Sequence, residues 1–423
     1  MMTHQFIAIV VFLITMIVIM TERVHRAVAS ITGAILLLLF HILTVEKSMS
    51  YVDINTIGVL VGMMLFVAVV KNSGIFEYIA IKAAKIAKGK PWAIMVAFIL
   101  ITAILSAFLD NVTTVLLVGP MTLAITNILK INPVPYLMTQ ILASNIGGTA
   151  TLIGDPPNIM IGSAANLSFV DFITNTGGAV FFVLLVTIIC FRFIYGKGLM
   201  VEQENINAVM QLDERKAIKD RSLMVKSIVL IIIVVLAFIF HSQLGIESCT
   251  IALSAAAIML LIGKQDAEEI ILSVEWSTIL FFVGLFIVVG GLQETGVINT
   301  LANLLMDATK GNMIMTMIII LWVSAIVSSF LDNIPFVATL IPLILTMQAS
   351  GNIDVAPLWW ALSLGACLGG NGTLIGASAN VVLSGISSKQ GYPITFKNYF
   401  KVGFPLMLIS IVISTVYLLV RFA

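Results

Sequence analysis

The first half of this chain recurs in its second half at a constant spacing, and each copy carries an acidic residue inside apolar sequence. Residues 106–111 read SAFLDN and residues 328–333 read SSFLDN, so Asp110 aligns with Asp332 at an offset of 222 residues. The same offset carries the segment 147–154, GGTATLIG, onto 369–376, GGNGTLIG, and Asn158 onto Asn380. Thr56 falls on Thr278, Gly62 on Gly284 and Gly74 on Gly296. A register held without a gap from about residue 53 to 158 is a duplication. Its period is far longer than the 20 to 50 residues of a solenoid repeat and suits a duplicated transmembrane half.

Composition states the solvent. With 60% hydrophobic and 10% charged residues and a mean hydropathy of +1.12 over 423 residues, the chain is not a water-soluble globule. Charge-free stretches such as 27–45, 172–191, 227–246, 276–293 and 402–420 approach the ~20 residues a helix needs to cross the hydrocarbon core. They lack strict period-two alternation, which favours helices over a barrel. In the first apolar run, 6–20, the charges Arg23 and Arg26 follow rather than precede it, so it reads as a retained helix rather than a cleaved signal. A net charge of +1 points to no nucleic-acid partner; the bilayer is the expected one. Cys190, Cys249 and Cys367 are too few and scattered for a disulfide framework or metal site.

The expected fold is an all-α polytopic membrane protein of two inverted-topology repeats, each with a re-entrant helical hairpin and a broken transmembrane helix. Residues 1–52 form N-terminal transmembrane helices on the scaffold and dimerisation side. Repeat 1 spans 53–195, with hairpin 91–130 and broken helix 136–161, preceded by a basic amphipathic stretch 75–90 too charged to cross. A polar cytoplasmic linker, 196–223, leads to scaffold helices in 224–274. Repeat 2 spans 275–423, with hairpin 312–348, broken helix 357–381 and a last span 402–420. Five crossings separate the equivalent spans at 54 and 276, and a hairpin adds zero or two, so the repeats are inverted. With the linker inside, only Lys47, Lys310 and Arg421 of the 22 lysines and arginines fall outside, as the positive-inside rule requires.

Three carboxylates lie deep within apolar sequence: Asp110, Asp155 and Asp332. An ionisable side chain at the bilayer centre costs at least ~2.5–3.5 kcal/mol on insertion scales, which marks it as functional by default. At the hairpin tips Asp110 and Asp332 can also cap the second arm. The glycine-rich segments 144–158 and 366–380 are poor continuous helices, broken in the first by Gly147, Gly148, Gly154, Pro156 and Pro157. Non-helical backbone at membrane depth is tolerated where it is buried in protein or lines a cavity. Freed carbonyls and Asn, Ser and Thr oxygens there suit a sodium ion, and half-helix N-termini suit an anion. No lysine or arginine lies in these motifs, so nothing permanent is expected to balance a bound anion. His4, His25, His41 and His241 sit at span ends and read as interfacial, and Cys367, inside the second motif, could meet a thiophilic solute.

In SNIGGTATLIGDPPN, the two FLDN tips and GACLGGNGTLIGASANVV, the chain resembles the ion transporter superfamily, in its arsenite permease and P-protein branch, over essentially its whole length. Sodium/proton antiporters and sodium-coupled dicarboxylate carriers are relatives of that branch. The resemblance implies elevator-type secondary transport as a homodimer in a plasma (inner) membrane, with an energising ATPase subunit as a further partner. It places Asp110, Asn111, Asn145, Gly148, Thr149, Thr151, Asp155 and Asn158 on one side of a solute site and Asp332, Asn333, Gly370, Asn371, Thr373, Ser378 and Asn380 on the other. Sodium would sit among Asp110, Asn111, Asn145, Asp332, Asn333 and Asn371. Where dicarboxylate carriers have Ser-Asn-Thr tips, this chain has Asp110-Asn111-Val112 and Asp332-Asn333-Ile334. Asp155 aligns with Ala377, so the first half carries a charge the second lacks.

The expected function is therefore a secondary active transporter of a small inorganic solute, foremost arsenite or antimonite efflux coupled to protons or sodium. The alternatives are a sodium/proton antiporter, a sodium-coupled di- or tricarboxylate transporter and an anion channel. No enzyme is expected, because the motifs contain no set of nucleophile, base and orienting group, and no cofactor beyond the coupling ion.

Overall fold

A computed structural model describes residues 2–21, 23–196, 201–350 and 354–422; residues 197–200 of the linker lie outside the described residues. The apolar runs form helices, and the two halves form the same helices in the same order. The first half contains α1 (Met2–Thr21), α2 (Arg26–Leu39), α3 (Val45–Ser50), α4 (Ile54–Lys71), α5 (Ile75–Ile86), α6 (Pro91–Phe108), α7 (Asn111–Ile128), α8 (Val134–Gly148), α9 (Pro156–Ala165) and α10 (Phe169–Tyr195). After the linker helix α11 (Gln203–Met210) come α12 (Arg221–Leu244), α13 (Ser248–Gly263), α14 (Ala267–Leu272), α15 (Trp276–Glu294), α16 (Val297–Thr309), α17 (Met313–Phe330), α18 (Asn333–Ala349), α19 (Ala356–Gly369), α20 (Ser378–Lys389) and α21 (Phe396–Phe422). The correspondence thus begins at α1 and α12, earlier than the gapless register. Among the described residues, nine helices are long and apolar enough to cross a membrane.

Local chemistry sets these boundaries. Gly74 and Gly296, one offset apart, adopt φ of 80° and 78°, a left-handed turn that ends α4 and α15 and starts the lateral helices α5 and α16. Ser168 and Asp171 form a capping box that starts α10 at Phe169, ahead of the charge-free stretch 172–191. The backbone turns after Leu39, with His41 at φ 52°, so α2 is shorter than its apolar run.

The ends of α4 and α15 demonstrate the inversion. Tyr51, just before α4, donates to Glu294, the last residue of α15, at 2.6 Å, and Lys47 lies 3.3 Å from the same carboxylate. At the other end of α4, the Ser73 carbonyl accepts from the linker's Lys219 N–H at 3.1 Å. Equivalent helices therefore run in opposite directions. The halves also exchange partners: α4 packs on α13, and α15 on α2. These helices, with α1 and α12, form a framework; the hairpins, the broken helices, α10 and α21 form a core bundle beside it.

Candidate functional site

Both hairpins turn at an aspartate between their two arms. Asp110 caps α7 by accepting from the Thr113 N–H at 2.8 Å, and Asp332 caps α18 by accepting from the Ile334 N–H at 3.2 Å. Each tip is then sewn to the break beside it by equivalent bonds. Ser106 donates to the Ser144 carbonyl and Ser328 to the Ala366 carbonyl, both at 2.6 Å. Thr151 donates to the Ala107 carbonyl, and Thr373 to the Ser329 carbonyl at 2.5 Å. The amides of Asn158 and Asn380 each reach 2.9 Å to the carbonyls of Thr151 and Thr373. These side chains satisfy carbonyls at the ends of the hairpin arms and at the helix breaks, which is how the breaks are held within apolar surroundings.

Between the breaks runs a buried chain of amides. Asn145 donates at 2.9 Å to both Asn371 and Asn380, and Asn111 donates to Asn145 at 3.1 Å. Asp155, buried at the start of α9, takes amide contacts from both tips: Asn111 at 3.3 Å and Asn333 at 3.4 Å. One carboxylate without a counterpart in the second half thus joins both hairpins.

Asp110, Asn111, Asp155, Asn333 and Ser378 line a small cavity of about 20 Å³. That is room for one water-sized group. The remaining candidates do not line it. Asn145, Thr149, Thr151, Asn158, Asn371, Thr373 and Asn380 are bonded within and between the breaks, and Gly148 and Gly370 pack against the backbone of Gly154 and Gly376. Asp332 faces a second cavity, of about 250 Å³, that opens beside the exposed Met20 and Val24.

Three residues of the site escaped the sequence reading. Arg26, the first residue of α2, extends into the core: its Nη1 donates to Ser378 and lies 3.5 Å from Asp332 Oδ2, and its Nη2 donates to Thr278 at 3.0 Å. Its guanidinium rests 5.1 Å from the centroid of the Phe281 ring. Thr278 in turn donates to Glu275 at 3.0 Å, and both line the 20 Å³ cavity. The expectation that no permanent cation enters the site is therefore corrected. At 14 residues, α2 is about 21 Å long, short of the ~30 Å hydrocarbon core. An arginine opening an abbreviated span was the available signal.

Two other expectations change. His241, in the last turn of α12, is packed inside the protein: it is buried and accepts from the Phe169 N–H at 3.2 Å. Cys367 is fully buried against Asn158, its sulfur 3.5 Å from Oδ1, and does not line the cavity, so no solute reaches it in this conformation.

The geometry agrees with what the chain is similar to. Residues 16–365 match a family model described as citrate transporter, CitMHS. An uncharacterized transporter of Mycobacterium tuberculosis is 42% identical over 423 residues, covering 98% of each chain. The P protein of Homo sapiens is 32% identical over 483 residues, covering 94% of this chain and 58% of that protein. The crystal structure of the Alcanivorax borkumensis YdaH transporter, described as having an unusual topology, shares the fold with a TM-score of 0.52 at 14% identity, over 89% of this chain and 86% of that one. The chain belongs to the CitMHS citrate transporter family, within the ion transporter superfamily, and is a multi-pass integral membrane transporter.

Proposed function

We propose that this family member is a secondary active transporter that passes a small solute between the two hairpin tips by elevator-type alternating access, driven by a proton or sodium gradient. One observation carries the reading: two tips and two broken helices from inverted repeats converge on one small cavity lined by carboxylates and amides, against the framework helices. A channel needs a continuous path, whereas an alternating carrier needs one binding site held between two bodies that can slide past each other.

For the solute, arsenite or antimonite efflux remains the first reading. A small, largely neutral solute suits a site lined by acidic groups, because it brings no negative charge to them. Arg26 supports a second reading, a carboxylate-bearing anion carried together with cations, since its guanidinium can pair with such a group. Sodium/proton exchange needs only the carboxylates.

The test is flux into proteoliposomes of purified protein, with arsenite, succinate and sodium offered under imposed proton and sodium gradients. Arsenite accumulation driven by a proton gradient, lost in the Asp110→Asn/Asp332→Asn variant, supports the first reading. Succinate accumulation selects the second. Uphill sodium movement alone makes the protein a cation antiporter, and gradient-independent flux that never accumulates solute overturns the carrier.

A further inference from the structure

Two cavities meet at one hydrogen bond. The small cavity and the larger one beside Met20 share two lining residues, Arg26 and Ser378, and Arg26 donates to Ser378 between them. Ser378 donates onward to Asp332 at 2.7 Å. The partition is therefore a guanidinium and a hydroxyl, with a carboxylate anchoring both.

The bond also crosses a structural boundary. Arg26 belongs to α2 of the framework, which packs on α1 and α15, whereas Ser378 and Asp332 belong to the core bundle. On that framework side Thr278 and Phe281, both on α15, steady the guanidinium. Any sliding of the bundle against the framework has to break the contact.

The charges around it are unequal. Asp110, Asp155 and Glu275 line the small cavity and Asp332 stands at the partition, against one arginine. A second cation arriving there meets carboxylates that Arg26 cannot satisfy together. The opposite face has no such contact, because one offset away Arg26 becomes Ser248 and Ser378 becomes Pro156.

We propose that Arg26 is the gate of the transport site on the linker face and acts as a tethered counter-ion: it holds Asp332 while the site is empty, and yields when a monovalent cation takes over that charge. The proposal rests on the transporter reading above. Its sidedness follows from the chain path: α4 ends against the linker, so the α2 end that carries Arg26, opposite the short connection into α4, lies on the linker face.

Binding of radioactive sodium to the full chain in detergent, at constant ionic strength, tests the competition without requiring transport. Removing the tethered cation in Arg26→Gln is expected to tighten sodium binding on the order of tenfold. Arg26→Lys retains wild-type affinity, and Asp332→Asn in the Arg26→Gln background cancels the gain. The gate itself is read by labelling Met64→Cys, in a chain lacking Cys190, Cys249 and Cys367, with a cationic thiol reagent, since Met64 lines the small cavity. Labelling should be faster in Arg26→Gln, and sodium should accelerate it only where Arg26 is present. Equal sodium affinity in wild type and Arg26→Gln, or no sodium binding in either, overturns the proposal. If Arg26→Gln does not fold, Arg26→Met is used in its place. Gradient-driven flux with unchanged sodium affinity removes the gate and leaves the transporter. Arg26-dependent sodium binding without any flux does the reverse.

Discussion

Asp155 and Asn158 lie three residues apart at one helix break, yet their side chains serve different ends. Asp155 faces the cavity and gathers one amide from each hairpin tip. Asn158 faces away, donating to the carbonyls of Gly148, Thr149 and Thr151 and accepting from Ser363 at 2.7 Å. In Asp155→Asn the shape and one acceptor oxygen remain while the charge is lost. We expect coupled flux to fall by about 100-fold, equivalent to ~2–3 kcal/mol, with thermal unfolding nearly unchanged. Intact coupled transport in that variant would remove Asp155 from the mechanism. Asn158→Ala instead strands buried carbonyls and the Ser363 hydroxyl, at a cost of about 2–4 kcal/mol, which a depressed melting temperature in detergent would register. Both residues were legible in the sequence as polar groups at a break. Which of them faced the cavity was not, because that depends on the direction in which each broken half-helix enters the bundle.

The elements owe their spacing to absent side chains. A Cβ on Gly369 would come within 2.7 Å of the Ala325 Cα, and its equivalent on Gly147 within 2.5 Å of the Ala103 Cα, with the carbonyl oxygens nearer still, so α19 and α8 touch α17 and α6 at backbone distance. On α20, by contrast, a Cβ on Gly385 meets nothing within 4 Å. Gly369→Ala is therefore expected to destabilise by about 1–3 kcal/mol through overpacking. Gly385→Ala should be neutral or stabilising by up to ~1 kcal/mol, through helix propensity. A thermal-shift comparison of the two decides whether close approach or flexibility explains the glycines; equal losses would favour flexibility. The hairpins and breaks could be anticipated from sequence because Asp, Gly and Pro act through local geometry. The start of α10 could not, since the polar residues of its first turns obscure a helix whose capping box begins it, and neither could the early end of α2, whose apolar run continues past the turn.

At the scale of the whole molecule, two inverted halves of equal geometry would leave the two faces equivalent, and the linker is one place where this chain departs from that equivalence. It has no counterpart in the other half, and it clasps α5 on one face only. Lys85 reaches Glu214 at 2.6 Å and the Leu212 carbonyl at 3.0 Å, Lys219 lies 3.7 Å from Glu77, and the linker backbone bonds Ser73. Gly74 is indispensable to the fit, since a Cβ there would collide with the Ala217 carbonyl. The Lys85 ammonium beside Glu214 holds its carboxyl below the usual carboxylate range. A carboxylate whose affinity for protons falls on folding contributes stability above its unfolded pKa and loses it as pH drops through the folded value. The clasp is thus fully formed at neutral pH and loosens in acid, below the ordinary carboxylate range. Glu214→Gln should reproduce the acid state at pH 7: trypsin cleaves after Arg215 and Lys216 several-fold faster, while global unfolding stays unchanged because the pair lies at the surface. If cleavage at those sites does not quicken in Glu214→Gln, the backbone bonds to Ser73 and the packing of Gly74 hold the linker without the ion pair. Departure from equivalence on this face would then rest on packing, which does not respond to pH.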